Sequence, residues 1–234
     1  TKDQITHSYA KAGNYVVTIF GTTTTKTSET FEVGQIHVAA HDYFVATSGV
    51  DAEGRGLTAA DPFRTIRYAL RQLDAPGKQD EPVVGGVTIH LAAGTYVLDS
   101  KQILLRESVS LVGATDDPAD TVIDGNGARR AACCYPGAKI QGVTLRNCKT
   151  IASSSLCPDG EGFGGAVCAQ SLLARDYVVS NCVVEGCVST YSGGAGYLGV
   201  WRDCIIRNCQ VLATDRGPKN PDSGTKFRGC GGAV

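Results

Sequence analysis

A short pattern occurs three times between residues 142 and 209, and it restricts the folds that this chain can adopt. The copies read Gly-Val-Thr-Leu-Arg-Asn-Cys at 142–148, Asn-Cys-Val-Val-Glu-Gly-Cys at 181–187 and Asp-Cys-Ile-Ile-Arg-Asn-Cys at 203–209. The second and third copies are 22 residues apart, and the first and second are 39 apart. Repeats of this length indicate a solenoid, in which each repeat buries its apolar side only by stacking on its neighbours.

Within each copy, apolar residues at alternate positions predict a short β-strand with one buried face. Because successive side chains of a strand point to opposite faces, the aligned copies predict columns of residues. The columns predicted to point inward are Val143, Cys182, Cys204 and Leu145, Val184, Ile206. The columns predicted to point outward are Thr144, Val183, Ile205 and the alternately charged Arg146, Glu185, Arg207.

Each strand leads to Asn147, Gly186 or Asn208, residue types that tolerate a left-handed backbone. They predict a bend, after which Cys148, Cys187 and Cys209 point inward again. A second pattern, Gly-Gly-Ala followed by Val or Gly, comes later in each repeat, at 164–167, 193–196 and 231–234. Short strands joined by tight bends and repeated in this way predict a parallel β-helix.

The repeats resemble those of right-handed β-helix proteins, the pectate-lyase-like superfamily. A strand ending in Asn with a later Gly-Gly-Ala-Val is also similar to the repeats of chlamydial polymorphic outer-membrane proteins and related bacterial surface proteins. The resemblance covers about residues 37–234. It implies an all-β chain, a right-handed parallel β-helix (solenoid) with one N-terminal capping helix. It indicates little about function, because β-helices include lyases, hydrolases, adhesins and inert stalks.

Residues 61–73 predict the capping helix, with Asp61 at the N-cap and Pro62 in the first turn. One apolar stripe is expected to cover the open end of the first coil. Its members are Phe63, Ile66, Leu70 and Leu73. The basic residues Arg64, Arg67 and Arg71 are interpreted as solvated charge rather than as a binding patch. Strands are predicted at 41–46, 87–91, 108–112 and 121–125, with His90 as a wall residue.

Residues 1–34 differ in character from the rest of the chain. They contain His7-Ser8-Tyr9, a turn at Gly13, an alternating strand to Phe20 and a closing strand at 28–33. This order resembles the C-terminal part of a PKD domain, an immunoglobulin-like β-sandwich of secreted and surface proteins. We therefore predict two domains, a partial PKD-like β-sandwich at 1–34 and the N-terminal portion of a β-helix at 35–234. The lack of Met and the ending on Gly-Gly-Ala-Val predict a piece of a longer protein, truncated within the β-helix.

The loop at 48–56 is rich in glycine and acidic residues and loosely resembles a calcium loop. Arg55 stands where a third ligand is needed and no Glu closes the loop, so calcium is disfavoured, and no metal or other cofactor is expected. Net charge is −1, which argues against nucleic acid or an anionic membrane as a partner. No apolar run approaches the roughly 20 residues of a membrane-spanning helix.

All ten cysteines lie between 133 and 230. Stacked inward cysteines would have Cα atoms about 5 Å apart, inside the disulfide range. The pattern is therefore compatible with disulfides between coils, and equally with buried free thiols that act as small apolar residues. We favour free thiols for the cysteines of the columns. Cys157, Cys168 and Cys230 lie outside the columns and could pair in loops.

Unequal insertions separate the bend cysteines from the next Gly-Gly-Ala: 15 residues after Cys148, 5 after Cys187 and 21 after Cys209. Stacked corners would place one long loop on each side of a short loop. Such insertions often form the binding face of a repeat protein. Their mixed charges suit a polysaccharide, although solvated loop charge is the alternative interpretation. The candidate ligand-binding residues are Asp159, Glu161, Asp215, Arg216 and Asp222.

No catalytic set is recognised, since His occurs only at 7, 37, 41 and 90, before the repeats, and the paired Asp of hydrolases with this fold is absent. The leading hypothesis is a segment of a secreted or cell-surface bacterial protein whose β-helix serves adhesion or glycan binding. One alternative is a polysaccharide lyase or glycoside hydrolase whose active coils lie partly outside the sequence. Another is a structural spacer. The expected location is extracellular or at the cell surface, and a host or cell-surface glycan is the expected partner.

Overall fold

Short β-strands dominate the computed structural model of the chain, which describes residues 13–22, 28–38, 40–74, 86–99, 101–150, 162–170, 176–190 and 192–212. One α-helix, α1 (Ile66–Arg71), lies among these residues. The strands are β1 (Gly13–Thr22), β2 (Ser28–Val38), β3 (Asp42–Val45), β4 (Val87–Leu91), β5 (Gly94–Val97), β6 (Ile103–Leu105), β7 (Val109–Val112), β8 (Thr121–Asp124), β9 (Ala132–Cys134), β10 (Lys139–Gln141), β11 (Thr144–Arg146), β12 (Val167–Ala169), β13 (Val178–Ser180), β14 (Val183–Glu185), β15 (Val188–Ser189), β16 (Gly196–Tyr197), β17 (Val200–Arg202), β18 (Ile205–Arg207) and β19 (Gln210–Val211).

From β3 onward the strands pair in parallel and form three sheets. The first sheet has the order β3-β4-β7-β10-β13-β17, the second β5-β8-β11-β14-β18 and the third β6-β9-β12-β16. A shorter pair joins β15 to β19. Each run of three strands, beginning with β4, β7 and β10, therefore adds one strand to each sheet. The predicted all-β, parallel architecture is confirmed, and the strand order is compatible with a β-helix.

The register of the second sheet matches the predicted columns. Leu145 pairs with Val184, and Val184 pairs with Ile206. Leu145 and Val184 are fully buried, as expected for an inward column. In the outward column, Ile205 is 59% exposed but Thr144 is only 6% exposed. Thr144 is covered by the turn after β7, where its hydroxyl donates to the carbonyl of Pro118 at 2.8 Å.

The predicted bend after each strand of the second sheet has the left-handed backbone that its residue types suggest. Asn147, Gly186 and Asn208 have φ values of 50°, 61° and 54°. A second bend, which the repeated sequence pattern did not reveal, precedes the same strands. Its residues are Gly142, Asn181 and Asp203, with φ values of 66°, 48° and 51°. Each strand of the repeated pattern therefore lies between two left-handed residues.

The helix begins later than predicted. Its N-cap is Thr65, whose hydroxyl accepts a hydrogen bond from the Tyr68 N–H at 3.1 Å. Asp61 instead forms an ion pair with Arg55 at 2.5 Å. The reason is that Phe63 is held in a β-bridge with Val45, so the chain is still extended where a helix starting at Pro62 would need to turn.

Helix α1 packs on the end of the parallel sheets, against β3, β4 and β6. Phe63, Ile66, Ala69 and Leu73 are buried in the same apolar cluster as the sheet residues. Leu70, predicted to belong to this stripe, is only partly buried. The expected covering of this end by an apolar helix face is thus observed, with Leu70 at its margin.

Strands β1 and β2 form an antiparallel hairpin. The second strand continues to Val38, five residues beyond the predicted end at Val33, and so it passes through the predicted domain boundary at residue 34. One residue of β2 is skipped between the pairs Val17–Gly34 and Thr18–Glu32, which lets the 11-residue β2 pair with the 10-residue β1. The predicted domain boundary at residue 34 and the PKD-like character of this segment stay predictions.

The charged column on the second sheet is one residue longer than predicted. Arg146 donates to Asp124 at 2.8 Å, and Arg207 pairs with Glu185 at 2.6 Å. Asp124 also accepts hydrogen bonds from the backbone N–H of Asn126 at 2.8 Å and from the Asn147 side chain at 3.3 Å. Burial alone would raise the pKa of Asp124, but these hydrogen bonds outweigh it and lower the pKa below its usual value.

The substitution Asp124→Asn tests this carboxylate. Because its folded-state pKa is lowered, its contribution to stability is complete above the unfolded-state pKa near 3.8 and is lost as pH falls through the folded-state pKa. We expect the variant to lose about 1–2 kcal/mol of unfolding free energy at pH 7 and progressively less below pH 4. Chemical denaturation across this pH range measures both.

Glu185→Gln is the matched control in the same column. The Glu185–Arg207 pair is more exposed, so the loss at pH 7 should stay below about 1 kcal/mol. A stability loss for Asp124→Asn that does not change with pH would contradict the assigned role of the carboxylate.

The Gly-Gly-Ala copies stack as predicted where the structure describes them. The backbone N–H of Gly165 donates to the carbonyl of Gly193 at 3.0 Å, and that of Ala166 donates to Ala195 at 2.7 Å. A Cβ on Gly165 would lie 2.0 Å from the carbonyl oxygen of Gly194. The contact is between two backbones, so no side chain can move aside. The third copy, at 231–234, lies outside the described residues.

We expect Gly165→Ala to reduce the free energy of unfolding by about 3 kcal/mol or more, since the added methyl group overlaps backbone atoms. Gly34→Ala is the control, because its Cβ would meet no atom within 4 Å and its backbone is likewise not left-handed. Thermal unfolding followed by circular dichroism measures both variants. Equal losses of stability in the two variants would show that the close backbone contact at Gly165 does not cause the loss.

Candidate functional site

The five predicted ligand-binding residues cannot be placed. Asp159 and Glu161 fall in 151–161, and Asp215, Arg216 and Asp222 fall in 213–234, all outside the described residues. Their role stays a prediction. The described part of the chain presents a different candidate site, on the side of helix α1.

A groove of about 520 Å³ lies between α1 and the segment that contains β5 and β6. Ile66 and Leu70 line it from the helix, and Leu98, Ile103 and Leu104 line it from the opposite side. Leu104 is 39% exposed, so part of this apolar lining is open to solvent. The groove therefore has an apolar floor of the kind that ligand sites use for packing.

Positive charge surrounds this floor. Arg64, Arg67, Arg71 and Lys101 line the groove and are exposed. Among the described lining residues, Asp99 is the exposed acid. A second acid, Asp74, forms a largely buried ion pair with Arg106 and so does not offset the exposed cations. The groove is thus locally cationic in a chain whose net charge is −1, and it attracts anions.

The groove wall is held rigid by Tyr96, which is buried. Its hydroxyl lies 3.0 Å from the carbonyl oxygen of Val45 and 2.9 Å from that of Ala92, within donating distance of both. Burial raises the pKa of Tyr96 to about 12, so the hydroxyl remains protonated and able to donate at any physiological pH. These contacts connect β5 to β3 beneath the groove.

The three arginines were interpreted from the sequence as solvated charge. They are exposed, but the fold brings them together with Lys101, which is 30 residues beyond Arg71 in the chain. Helical spacing alone could place the arginines near one another. It could not show that an apolar surface from β5 and β6 lies beside them.

The glycine- and acid-rich loop at 48–56 has a structural function. Asp51 accepts hydrogen bonds from the backbone N–H groups of Arg64 and Thr65, at 2.8 and 3.0 Å, and from the Thr65 hydroxyl at 2.7 Å. Its oxygens thus orient the segment that enters α1. Over the described ranges, no group of three His, Cys, Asp or Glu residues is arranged to hold a metal ion.

His90 lies on the outer face of the first sheet. Its Nε2 is 2.7 Å from Asp42 Oδ1, and its ring stacks on Phe44 with a centroid distance of 4.9 Å. These contacts agree with the predicted wall position.

All eight cysteines in the described part of the chain are free thiols. Five of them follow a left-handed residue, and each sulfur lies 3.1–3.4 Å from the carbonyl oxygen two residues earlier. These five, called the bend thiols below, are Cys148, Cys182, Cys187, Cys204 and Cys209. A hydrogen bond to Cys148 and burial raise the pKa of Cys187, and a hydrogen bond to Cys204 and burial raise that of Cys182.

No helix among the described residues is long and apolar enough to cross a membrane. Comparisons with protein-family models, with curated proteins and with solved structures found no match.

Proposed function

We propose that this chain belongs to a secreted or cell-surface protein of bacterial type, in which a right-handed parallel β-helix binds glycan without catalysis in this segment. The cationic groove beside α1 is the observation that supports the proposal. The β-helix would be of the pectate-lyase-like kind with polymorphic-outer-membrane-protein-like repeats, preceded by the C-terminal part of a PKD-like domain.

The parallel sheets support the architectural part of this proposal. Consecutive strands enter three sheets in turn, which is the order that a coiled chain produces. Crossover connections between parallel strands are nearly always right-handed, because the strand twist favours that hand. A right-handed β-helix satisfies both requirements.

The chemistry of the groove selects the kind of glycan. Exposed Arg64 and Arg71 can each bind a carboxylate or sulfate group through two parallel hydrogen bonds. The apolar floor, which includes Leu70 and Leu104, can pack against the C–H faces of sugar rings. We therefore propose an acidic polysaccharide, carrying uronate or sulfate groups, as the ligand of this groove.

The double variant Arg64→Glu/Arg71→Glu tests the groove. We expect its affinity for polygalacturonate or heparin to fall roughly tenfold or more at low salt, because two attractive charges become repulsive. Affinity of the unmodified chain should also fall as salt rises. Surface plasmon resonance, with the protein titrated over immobilised polysaccharide, measures these affinities. Neutral dextran is the reference polymer.

Lys139→Glu is the matched control, since Lys139 is exposed on β10 and does not line the groove. It should alter affinity less than twofold. Retained binding in the double variant would exclude the groove and direct the search to the loops at 149–163 and 210–230. No binding to any acidic polysaccharide would leave the spacer as the simplest account.

The same samples decide between binding and catalysis. Release of unsaturated or reducing sugar ends, with and without calcium, would replace the adhesin proposal with the polysaccharide lyase or glycosidase alternative. We expect binding without product.

A further inference from the structure

Two of the described cysteines differ from the bend thiols in position and in contacts. Cys133 in β9 and Cys168 in β12 are directly paired across neighbouring parallel strands. Both are buried, yet neither belongs to the apolar core cluster that contains Cys134, Cys148 and the other inward residues. Alternation along β9 places Cys133 on the face opposite to Cys134. This outer-face pair is a separate chemical environment.

The two sulfurs of the pair are hydrogen-bonded to each other. Each bend thiol donates to a backbone carbonyl, whereas no carbonyl of the described residues accepts from Cys133 or Cys168. Aligned residues on parallel strands have Cα atoms about 5 Å apart, inside the range that a disulfide bridges. The sulfurs of Cys133 and Cys168 are therefore oriented toward each other rather than toward the backbone.

A buried cation lies beside this pair. Arg130 is 4% exposed, and its guanidinium donates to the carbonyls of Gly164 and Phe163 at 2.9 and 2.7 Å and to the Gln102 side chain at 2.8 Å. It also donates a hydrogen bond to the sulfur of Cys168. The carbonyl and side-chain contacts fix the guanidinium in place, so the positive charge remains next to that sulfur.

These contacts separate the roles of the two thiols. The hydrogen bond from Cys133 and the guanidinium of Arg130 lower the pKa of Cys168, although burial opposes them. The hydrogen bond to Cys168 and burial raise the pKa of Cys133. Cys168 is therefore the more acidic thiol of the pair and the better nucleophile, and Cys133 holds its proton more tightly.

We propose that Cys133 and Cys168 form an oxidation site, in which a small hydroperoxide converts the two thiols to a disulfide that joins β9 to β12. Burial of both sulfurs restricts the oxidant to molecules near the size of water. Cys204 is the exception among the bend thiols, because a hydrogen bond from Cys182 lowers its pKa to about 6 and its side chain is only half-buried. The buried guanidinium of Arg130 beside their sulfurs distinguishes Cys133 and Cys168 from Cys187 and Cys209, whose pKa values are raised.

The reaction proceeds in two balanced steps. The Cys168 thiolate attacks the terminal oxygen of the hydroperoxide, so that an S–O bond forms, the O–O bond breaks and an alcohol, or water from hydrogen peroxide, leaves after taking up a proton. The Cys133 sulfur then attacks the sulfenic sulfur of Cys168. The S–S bond forms, the S–O bond breaks, and a second water leaves with the Cys133 proton.

Peptide mapping of the fully reduced chain after treatment with hydrogen peroxide tests the proposal. Free thiols are alkylated in denaturant before digestion, and mass spectrometry identifies each cysteine. We expect a Cys133–Cys168 disulfide to form roughly tenfold or more faster than any oxidation of Cys187 or Cys209, the bend thiols that hydrogen-bond to each other and have raised pKa values. Oxidised glutathione is too large to reach the pair, so it should form the Cys133–Cys168 disulfide at least tenfold more slowly than hydrogen peroxide does.

Two substitutions separate the roles of the thiols. In Cys133→Ser the disulfide cannot form, and dimedone added together with denaturant, after the peroxide is removed, should trap a sulfenic acid on Cys168. In Cys168→Ser no sulfenic acid should appear on Cys133. Cys187→Ser, in a bend thiol, is the matched control and should leave the Cys133–Cys168 disulfide unchanged.

The unmodified chain provides an independent reading if a variant does not fold. Oxidation of Cys187 and Cys209 at the same rate as Cys133 and Cys168 would overturn the proposal, and so would a sulfenic acid found on Cys133. A disulfide confined to Cys133 and Cys168 should also raise the unfolding midpoint by roughly 5–10 °C, because it links two neighbouring strands of the third sheet.

Discussion

The close approach of one backbone to the next at the corners of the parallel sheets is the constraint on which the rest of the structure depends. At Gly165 a single Cβ would lie 2.0 Å from the carbonyl oxygen of Gly194, so only glycine permits the two chains to hydrogen-bond there. That contact fixes the register of the third sheet. In the second sheet, neighbouring strands pair Leu145 with Val184 and Arg146 with Glu185. The buried column and the charged column are built from these aligned pairs.

Strands β11, β14 and β18 of the second sheet could be predicted from the sequence in detail because they carry a repeated local signal, an alternating run followed by an Asn or Gly that adopts a left-handed backbone. The register, the inward and outward columns and the bend at Asn147 follow from that signal. The first two strands of the third sheet, β6 and β9, carry no Gly-Gly-Ala and are three residues long, so no periodicity reveals them. The start of α1 was wrong for a tertiary reason, since the β-bridge of Phe63 with Val45 overrides the capping signal of Asp61.

The candidate sites depend on contacts between residues distant in sequence, and this is why sequence reasoning did not find them. Arg64 and Arg71 were recognised as basic, but the floor beside them comes from Leu98 and Leu104. Arg130 gives no local pattern at all, and its importance comes from contacts with Gly164 and Phe163 more than 30 residues later. The residues that the loop insertions suggested, such as Asp159 and Asp215, lie outside the described part of the chain, so those loops remain a separate hypothesis.

Helix α1 uses its two sides for different purposes. The segment from Phe63 to Leu73, which contains α1, buries Phe63 and Ala69 in the apolar cluster at the end of the parallel sheets and presents Arg64 and Arg71 to the groove. Every described lining residue of the groove precedes β7, so these residues all come before the second set of three strands. Addition or loss of later repeats during evolution would lengthen or shorten the protein without altering the groove. The reach of the molecule and the specificity of this end can therefore diversify independently.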